Sequence, residues 1–184
     1  RPSDEAILTA RLIDRTIRPR FPENFFKEIQ VVVTCLSWDT ENDPDLLGLL
    51  GASLALSLSD IPWSGPIGAL RVGRINGEFI LNPTYEQRTR SDMDLVFAGI
   101  ENEKEILINM IEGEIQNLTE ETILEAYQFS LPHLKKIIEF QKQILEKQGE
   151  EKIALPQASY ESELEKEIKK FLGEKLEKTL YQKD

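Results

Sequence analysis

Apolar positions recur with two different periods along this chain, and the change of period divides it into elements. Ala6, Ala10, Ile13 and Ile17 step by four, three and four, the spacing that lines one face of a helix. Ser3 stands where an N-cap belongs, Asp4 and Glu5 suit the positive end of a helix dipole, and Pro19 stops the run. The spacing therefore predicts a helix over residues 4–17, with Arg11, Arg15 and Arg18 on the face opposite the apolar one. Over residues 28–38 the period shortens to two. Ile29, Val31, Val33 and Cys35 alternate with Gln30, Val32, Thr34 and Leu36, which predicts a strand covered on both faces, with Cys35 as a small core side chain. Asp43-Pro44-Asp45 opens a second helix, residues 46–58, apolar almost all round and so predicted buried.

Residues 61–66, Ile-Pro-Trp-Ser-Gly-Pro, read as a loop in which Trp63 packs against a neighbour or offers its ring to a base. Residues 69–75 and 78–81 flank Asn76-Gly77, the strongest short hairpin signal. Residues 92–98 and 106–115 read as two further strands around a charged turn at 101–105. Strand character ends at Thr119. A long helix should reach about residue 147, Gly149 and Pro156 punctuate the chain, and residues 159–181 form a second polar helix with one apolar stripe.

Composition narrows the possibilities. The chain has 184 residues, 40% apolar and 30% charged, with 22 basic and 33 acidic side chains and a net charge of −11. That is enough apolar chain for a folded core. A single cysteine excludes an intramolecular disulfide framework, and a single histidine, His133, argues against a His-based dyad. No apolar run is long enough to span a membrane, no signal peptide opens the chain, and a cytoplasmic location is the default. A start at Arg1 rather than Met reads as a piece of something longer. The charge is uneven, −2 over residues 1–90 and −9 over residues 91–184, and the one basic concentration of the first half is Arg11, Arg15, Arg18 and Arg20 around Asp14.

Several blocks then stand in a fixed order: Arg1-Pro2-Ser3, Arg11-Leu12-Ile13-Asp14-Arg15-Thr16-Ile17-Arg18-Pro19, Gly51-Ala52-Ser53-Leu54-Ala55-Leu56, Ile61-Pro62-Trp63-Ser64-Gly65-Pro66-Ile67-Gly68-Ala69, Arg71-Val72-Gly73, and Asn76-Gly77 with Leu81-Asn82-Pro83-Thr84. In order and spacing they resemble the polynucleotide phosphorylases (polyribonucleotide nucleotidyltransferases) over roughly residues 1–140. Thr16 departs from the proline usual in that family's arginine motif, and Arg20 stands where the family usually has an apolar residue. The resemblance implies an α/β (α+β) fold of the RNase PH-like, ribosomal protein S5 domain 2-like kind, a sheet packed with helices. It implies that residues 1–148 are the first of two such core domains, N-terminally incomplete, and that residues 149–184 begin an all-helical segment. The function implied is 3′-to-5′ phosphorolysis of single-stranded RNA with inorganic phosphate, releasing nucleoside diphosphates, by a ring-shaped homotrimer. The Mg2+ is expected in the second core domain and no cofactor in this chain.

The family's catalytic core domain holds phosphate in a serine-rich turn at the start of the helix that carries the Gly-Ala-Ser block, and a metal on two aspartates six residues apart. Here the turn is Asn42-Asp43-Pro44-Asp45, whose carboxylates repel phosphate, and Arg88 stands six residues before Asp94. The resemblance thus assigns this chain no catalytic and no metal-ligating residue. It assigns RNA contact to Arg1, Arg11, Arg15 and Arg18. The competing reading of the stripe is a solvated helix face, with Asp14 pairing Arg18 at i,i+4 and Arg11 at i,i+3. Arg71, Arg74, Arg88 and Arg90 read as ordinary strand-edge and loop charges, Glu112 and Glu114 as a solvent-facing strand edge, and Asp92 with Asp94 as a weak metal pair. A stand-alone RNA-binding or ring-scaffold protein is the alternative of another class. The chain on its own is expected to self-associate through an uncovered apolar face.

Overall fold

A computed structural model of the chain describes residues 1–103, 105–155 and 162–181. They fall into two compact units, Arg1–Ala154 and Leu155–Asp184. In the first, helix α1 (Asp4–Ile17) begins as the sequence predicts, with the Ser3 hydroxyl accepting the Ala6 N–H at 3.2 Å. Helix α2 (Asp45–Leu58) follows, then strands β1 (Ile67–Ile75) and β2 (Glu78–Leu81), short helix α3 (Tyr85–Thr89), strands β3 (Met93–Asn102) and β4 (Glu105–Ile115), and the long helix α4 (Glu120–Gln148). The sheet is antiparallel throughout, in the order β2-β1-β3-β4. Asn76 and Gly77 both have positive φ, 53° and 85°, the conformation a tight two-residue hairpin demands.

Alternation along the strands sorts the core into two layers. Ile67, Ala69, Val96 and Ala98 meet Leu12, Ile13 and Ile17 of α1 and Leu49, Ala52 and Leu56 of α2 on one face. Leu70, Val72, Leu95 and Phe97 meet Ala126 and Leu134 of α4 on the other. Phe97, Leu49, Ile67 and Leu70 are wholly enclosed, each worth about 1.5–3 kcal/mol over an exposed position. Ser53 ties the layers together. Its hydroxyl accepts the Ile67 N–H at 2.9 Å and donates to Gln141 Oε1 at 2.8 Å, while Gln141 Nε2 donates to the Ile67 carbonyl at 2.8 Å. After α4 the chain turns back onto α2. The Lys152 ammonium donates to the carbonyls of Leu56, Ser57 and Ser59 at 2.8, 2.9 and 2.5 Å, and so caps that helix.

One irregularity sets which side chains face α1. Between Ala98 and Gly99 the β3–β4 register shifts, so that Ala98 pairs with Met110 but Gly99 with Ile108. Asn109 is the extra residue, and its Nδ2 donates to the Thr16 carbonyl near the end of α1 at 2.9 Å. Ahead of this bulge Ile106 and Ile108 pack in the α4 layer; beyond it Met110 joins the α1/α2 layer and Glu112 reaches Arg15. Gly113 (φ +151°) lies so close to β3 that a Cβ there would come within 1.8 Å of the Asp94 carbonyl oxygen.

Four expectations need correction. Residues 28–38 form no strand, because no described segment lies alongside to accept their hydrogen bonds. The apolar run is therefore open rather than covered, with Val32 75% and Leu36 92% exposed, and Cys35 is exposed with its thiol donating to the Ser37 carbonyl. Helix α2 is buried on one side only. Leu47 (72% exposed), Gly51 and Ala55 line its outer face. On α1, Ala6 and Ala10 stand clear of the core, which begins at Leu12. Helix α3 was not anticipated, although Thr84 and Gln87 form a reciprocal capping box.

In the second unit helix α5 (Ser162–Leu180) has non-helical dihedrals at Gly173, and Leu164, Ile168, Phe171 and Leu176 of its apolar stripe are exposed. Pro156, residues 159–161 of the helix expected there and Lys104 of the charged turn lie outside the described residues. Among the described residues no helix is long and apolar enough to cross a membrane.

Candidate functional site

Charged residues interrupt three apolar runs, and the fold brings them to one place. Asp45 is the first residue of α2, Arg71 lies between Leu70 and Val72 on β1, and Asp94 lies between Met93 and Leu95 on β3. By alternation Arg71 and Asp94 share the α1/α2 face with Ala69 and Val96. Arg71 sits at the centre, its side chain 9% exposed, with Nη2 donating to Asp45 Oδ2 and Nη1 to Asp94 Oδ1, each at 2.5 Å. Arg88 of α3 completes the arrangement: Nε donates to Asp94 Oδ2 at 2.7 Å and Nη1 to Asp43 Oδ2 at 2.8 Å. The Asp45 main-chain N–H then donates to Asp43 Oδ1 at 3.2 Å, which closes a ring of five residues. The Arg88 guanidinium also lies over the Tyr85 ring, 5.6 Å from its centroid, and Trp38 meets that ring edge-on.

Three carboxylates against two guanidinium groups leave one surplus negative charge. Burial pushes the Asp45 carboxyl above the usual carboxylate range, Arg71 pulls it back, and Asp43 pushes it up again. Asp45 Oδ1 accepts the Leu46 N–H at 2.6 Å, so the free donors at the start of α2 already face an anion belonging to the chain. Arg88 and Asp94, six residues apart in sequence, meet as an ion pair. Both Asp94 oxygens are taken by guanidinium groups, and Asp92 is held by Arg74 at 2.7 Å. Among the described residues no cluster of three or more His, Cys, Asp or Glu side chains is placed to hold a metal. The donor set does not fit Mg2+.

The arginines assigned to RNA lie elsewhere, along the exposed side of α1. Arg18 closes on Asp14, with Nη2 2.7 Å from Oδ1 and Nε 3.1 Å from Oδ2. Arg15 Nη1 donates to Glu112 Oε2 of β4 at 2.7 Å. Arg11 and Arg1 are exposed and have no ion pair among the described residues, and Asp14 turns to Arg18, not to Arg11. Trp63 is buried, its indole N–H donating to the Ile17 carbonyl at 3.0 Å, so it offers no free face to a base. The His133 ring lies tilted against Phe129, their centroids 5.3 Å apart. Sequence reasoning missed Arg71 and Glu112. For Arg71 the signal was present: a lone charge inside an apolar strand needs a buried partner. Glu112 had none, because the bulge that turns it toward α1 leaves no mark in the pattern.

Two family models match the chain. One described as "3' exoribonuclease family, domain 1" covers residues 1–62, and one described as "3' exoribonuclease family, domain 2" covers residues 65–131. The polyribonucleotide nucleotidyltransferases of Finegoldia magna and Heliobacterium modesticaldum are 45% and 42% identical over all 184 residues, and that of Sulfurihydrogenibium azorense is 46% identical over 176. These matches take in 100, 100 and 96% of this chain but 25, 25 and 24% of those proteins, so the chain spans about a quarter of the length of the curated relatives it matches. Among solved structures, that of the C. elegans cell-death-related nuclease 5 covers 55% of this chain and 54% of its own at 16% identity, with a TM-score of 0.44. The ring of charges draws on both matched parts, Asp43 and Asp45 from the first and Arg71, Arg88 and Asp94 from the second, and on these matches the chain belongs to the 3′ exoribonuclease (RNase PH) family.

Proposed function

We propose that this chain is the first core segment of a polyribonucleotide nucleotidyltransferase that degrades RNA from its 3′ end with inorganic phosphate and releases nucleoside diphosphates. Within it this segment helps to build a homotrimeric ring and guides single-stranded RNA, while the chemistry and its Mg2+ belong to another part of the protein. The relatives' names support the enzyme class. The ring of charges supports the division of labour.

Phosphorolysis needs a seat for a phosphate anion and a divalent cation to offset charge as the bond breaks. The start of α2, where a helix dipole and free N–H groups favour an anion, is filled by the Asp45 carboxylate. A phosphate approaching Arg71 would meet three carboxylates around it. A magnesium ion approaching Asp94 would have to displace two guanidinium groups. This closed ring is the observation that carries the proposal.

The test is phosphate-dependent release of nucleoside diphosphates from polyadenylate. The full-length protein is expected to release them and this chain alone to give none above the blank. Release by this chain in proportion to its concentration would overturn the reading.

A further inference from the structure

We propose that Asp14 and Glu112 are built-in competitors of RNA phosphate on the α1 arginine face, which keep its grip weak enough for a strand to slide. The proposal rests on the reading above that α1 faces RNA. Three guanidinium groups share this face, and two of them already hold a carboxylate. The Arg18 fork is closed on Asp14 through both Nε and Nη2. Arg15 is held by a carboxylate from another element 97 residues away in sequence.

The arrival of Glu112 is built into the sheet. Were Asn109 an ordinary paired residue, the alternation along β4 would aim position 112 into the α4 layer; because it is bulged out, Glu112 lies against α1. Both pairs are open to water, with the Arg15 and Arg18 side chains 54% and 75% exposed. Such pairs are weak and exchange readily. A phosphate binding Arg15 or Arg18 therefore replaces a carboxylate instead of adding to an unpaired cation. Arg11 is the stripe arginine that carries no ion pair among the described residues. A face of three bare arginines would hold a polyanion firmly, and a strand shortened one nucleotide at a time must release and re-form each contact at every step. Exchange against a neighbouring carboxylate lowers both the affinity and the barrier to that step.

The experiment compares the full-length protein with Glu112→Gln and Asp14→Asn variants in binding of single-stranded polyadenylate across a salt series and in phosphorolysis at saturating RNA. The two substitutions lie on different elements, so Asp14→Asn tests the idea with β4 untouched. Each is expected to tighten binding about two- to five-fold. Each should also steepen the dependence of log K on log salt by up to about 0.7 and slow turnover. Arg15→Gln and Arg18→Gln are the reference and should weaken binding. If the arginine variants weaken binding but the acid variants bind no tighter than the parent, the competitor role is overturned; tighter binding with unchanged turnover overturns it as well. If the arginine variants bind RNA as the parent does, α1 does not face RNA and the guiding role itself fails.

Discussion

Replacing Arg71 with methionine probes the ring of charges most directly. The side chain keeps its length and apolar stem but loses the guanidinium that neutralises Asp45 and Asp94. Asp94 retains Arg88, whereas Asp45 is left buried beside Asp43 with a backbone N–H as its remaining partner. Removing one member of a buried ion pair costs about 3–5 kcal/mol. The cost has a predictable pH dependence. Burial already raises the Asp45 carboxyl and Arg71 opposes that rise, so the substitution raises it further. A carboxyl with a higher pKa folded than unfolded binds its proton more tightly in the native state. It stabilises that state below the unfolded-state value and loses the effect as pH rises through the folded-state value. The penalty in Arg71→Met should therefore shrink on acidification, by up to about 1.4 kcal/mol per pH unit while Asp45 is protonated folded and ionised unfolded. Urea unfolding of parent and variant at pH 7 and pH 5.5, followed by tryptophan fluorescence, measures both quantities. A loss below about 1 kcal/mol at pH 7, or one that grows on acidification, would refute the reasoning.

Two further substitutions test the frame around the site. Gly113→Ala adds a Cβ that meets the Asp94 carbonyl at 1.8 Å and should cost about 2–4 kcal/mol, read as a lowered urea midpoint; an unchanged midpoint would show that β4 is not held against β3 there. Lys152→Met removes three charge-assisted bonds to the last carbonyls of α2 and should cost about 1.5–3 kcal/mol, with faster amide exchange at the Ser59 N–H that closes that helix; exchange unaltered from the parent would argue against the cap.

The elements that local chemistry dictates were legible. Ser3 begins α1, Asn76-Gly77 turns the hairpin, Thr119 begins α4, and each of these signals lies within a few residues of what it determines. Residues 28–38 read as a strand for an equally local reason, their alternation, but a strand is defined by a neighbour, and none of the described segments supplies one. The wrong-signed character of the site was legible in Asp43, Asp45 and Arg88 taken singly. Its closure was not, because Arg71 binds Asp45 and Asp94 across 26 and 23 residues, and only the antiparallel register of β1 and β3 brings them together. Glu112 shows the same limit, since its direction depends on the Asn109 bulge.

That bulge makes β4 a ruler. Its marks are Ile108 opposite Gly99 and Met110 opposite Ala98, with Asn109 as slack between them: removing Asn109 leaves Met110 and Glu112 facing α1, whereas pressing it into the ladder as a paired residue would swap inside and outside from there on. What the fold needs is the pairing on either side of the slack, not the slack itself. Proteins built on this frame should therefore keep Met110 and Glu112 in phase with β3 whether or not position 109 is occupied, giving up with it only the bond to the Thr16 carbonyl.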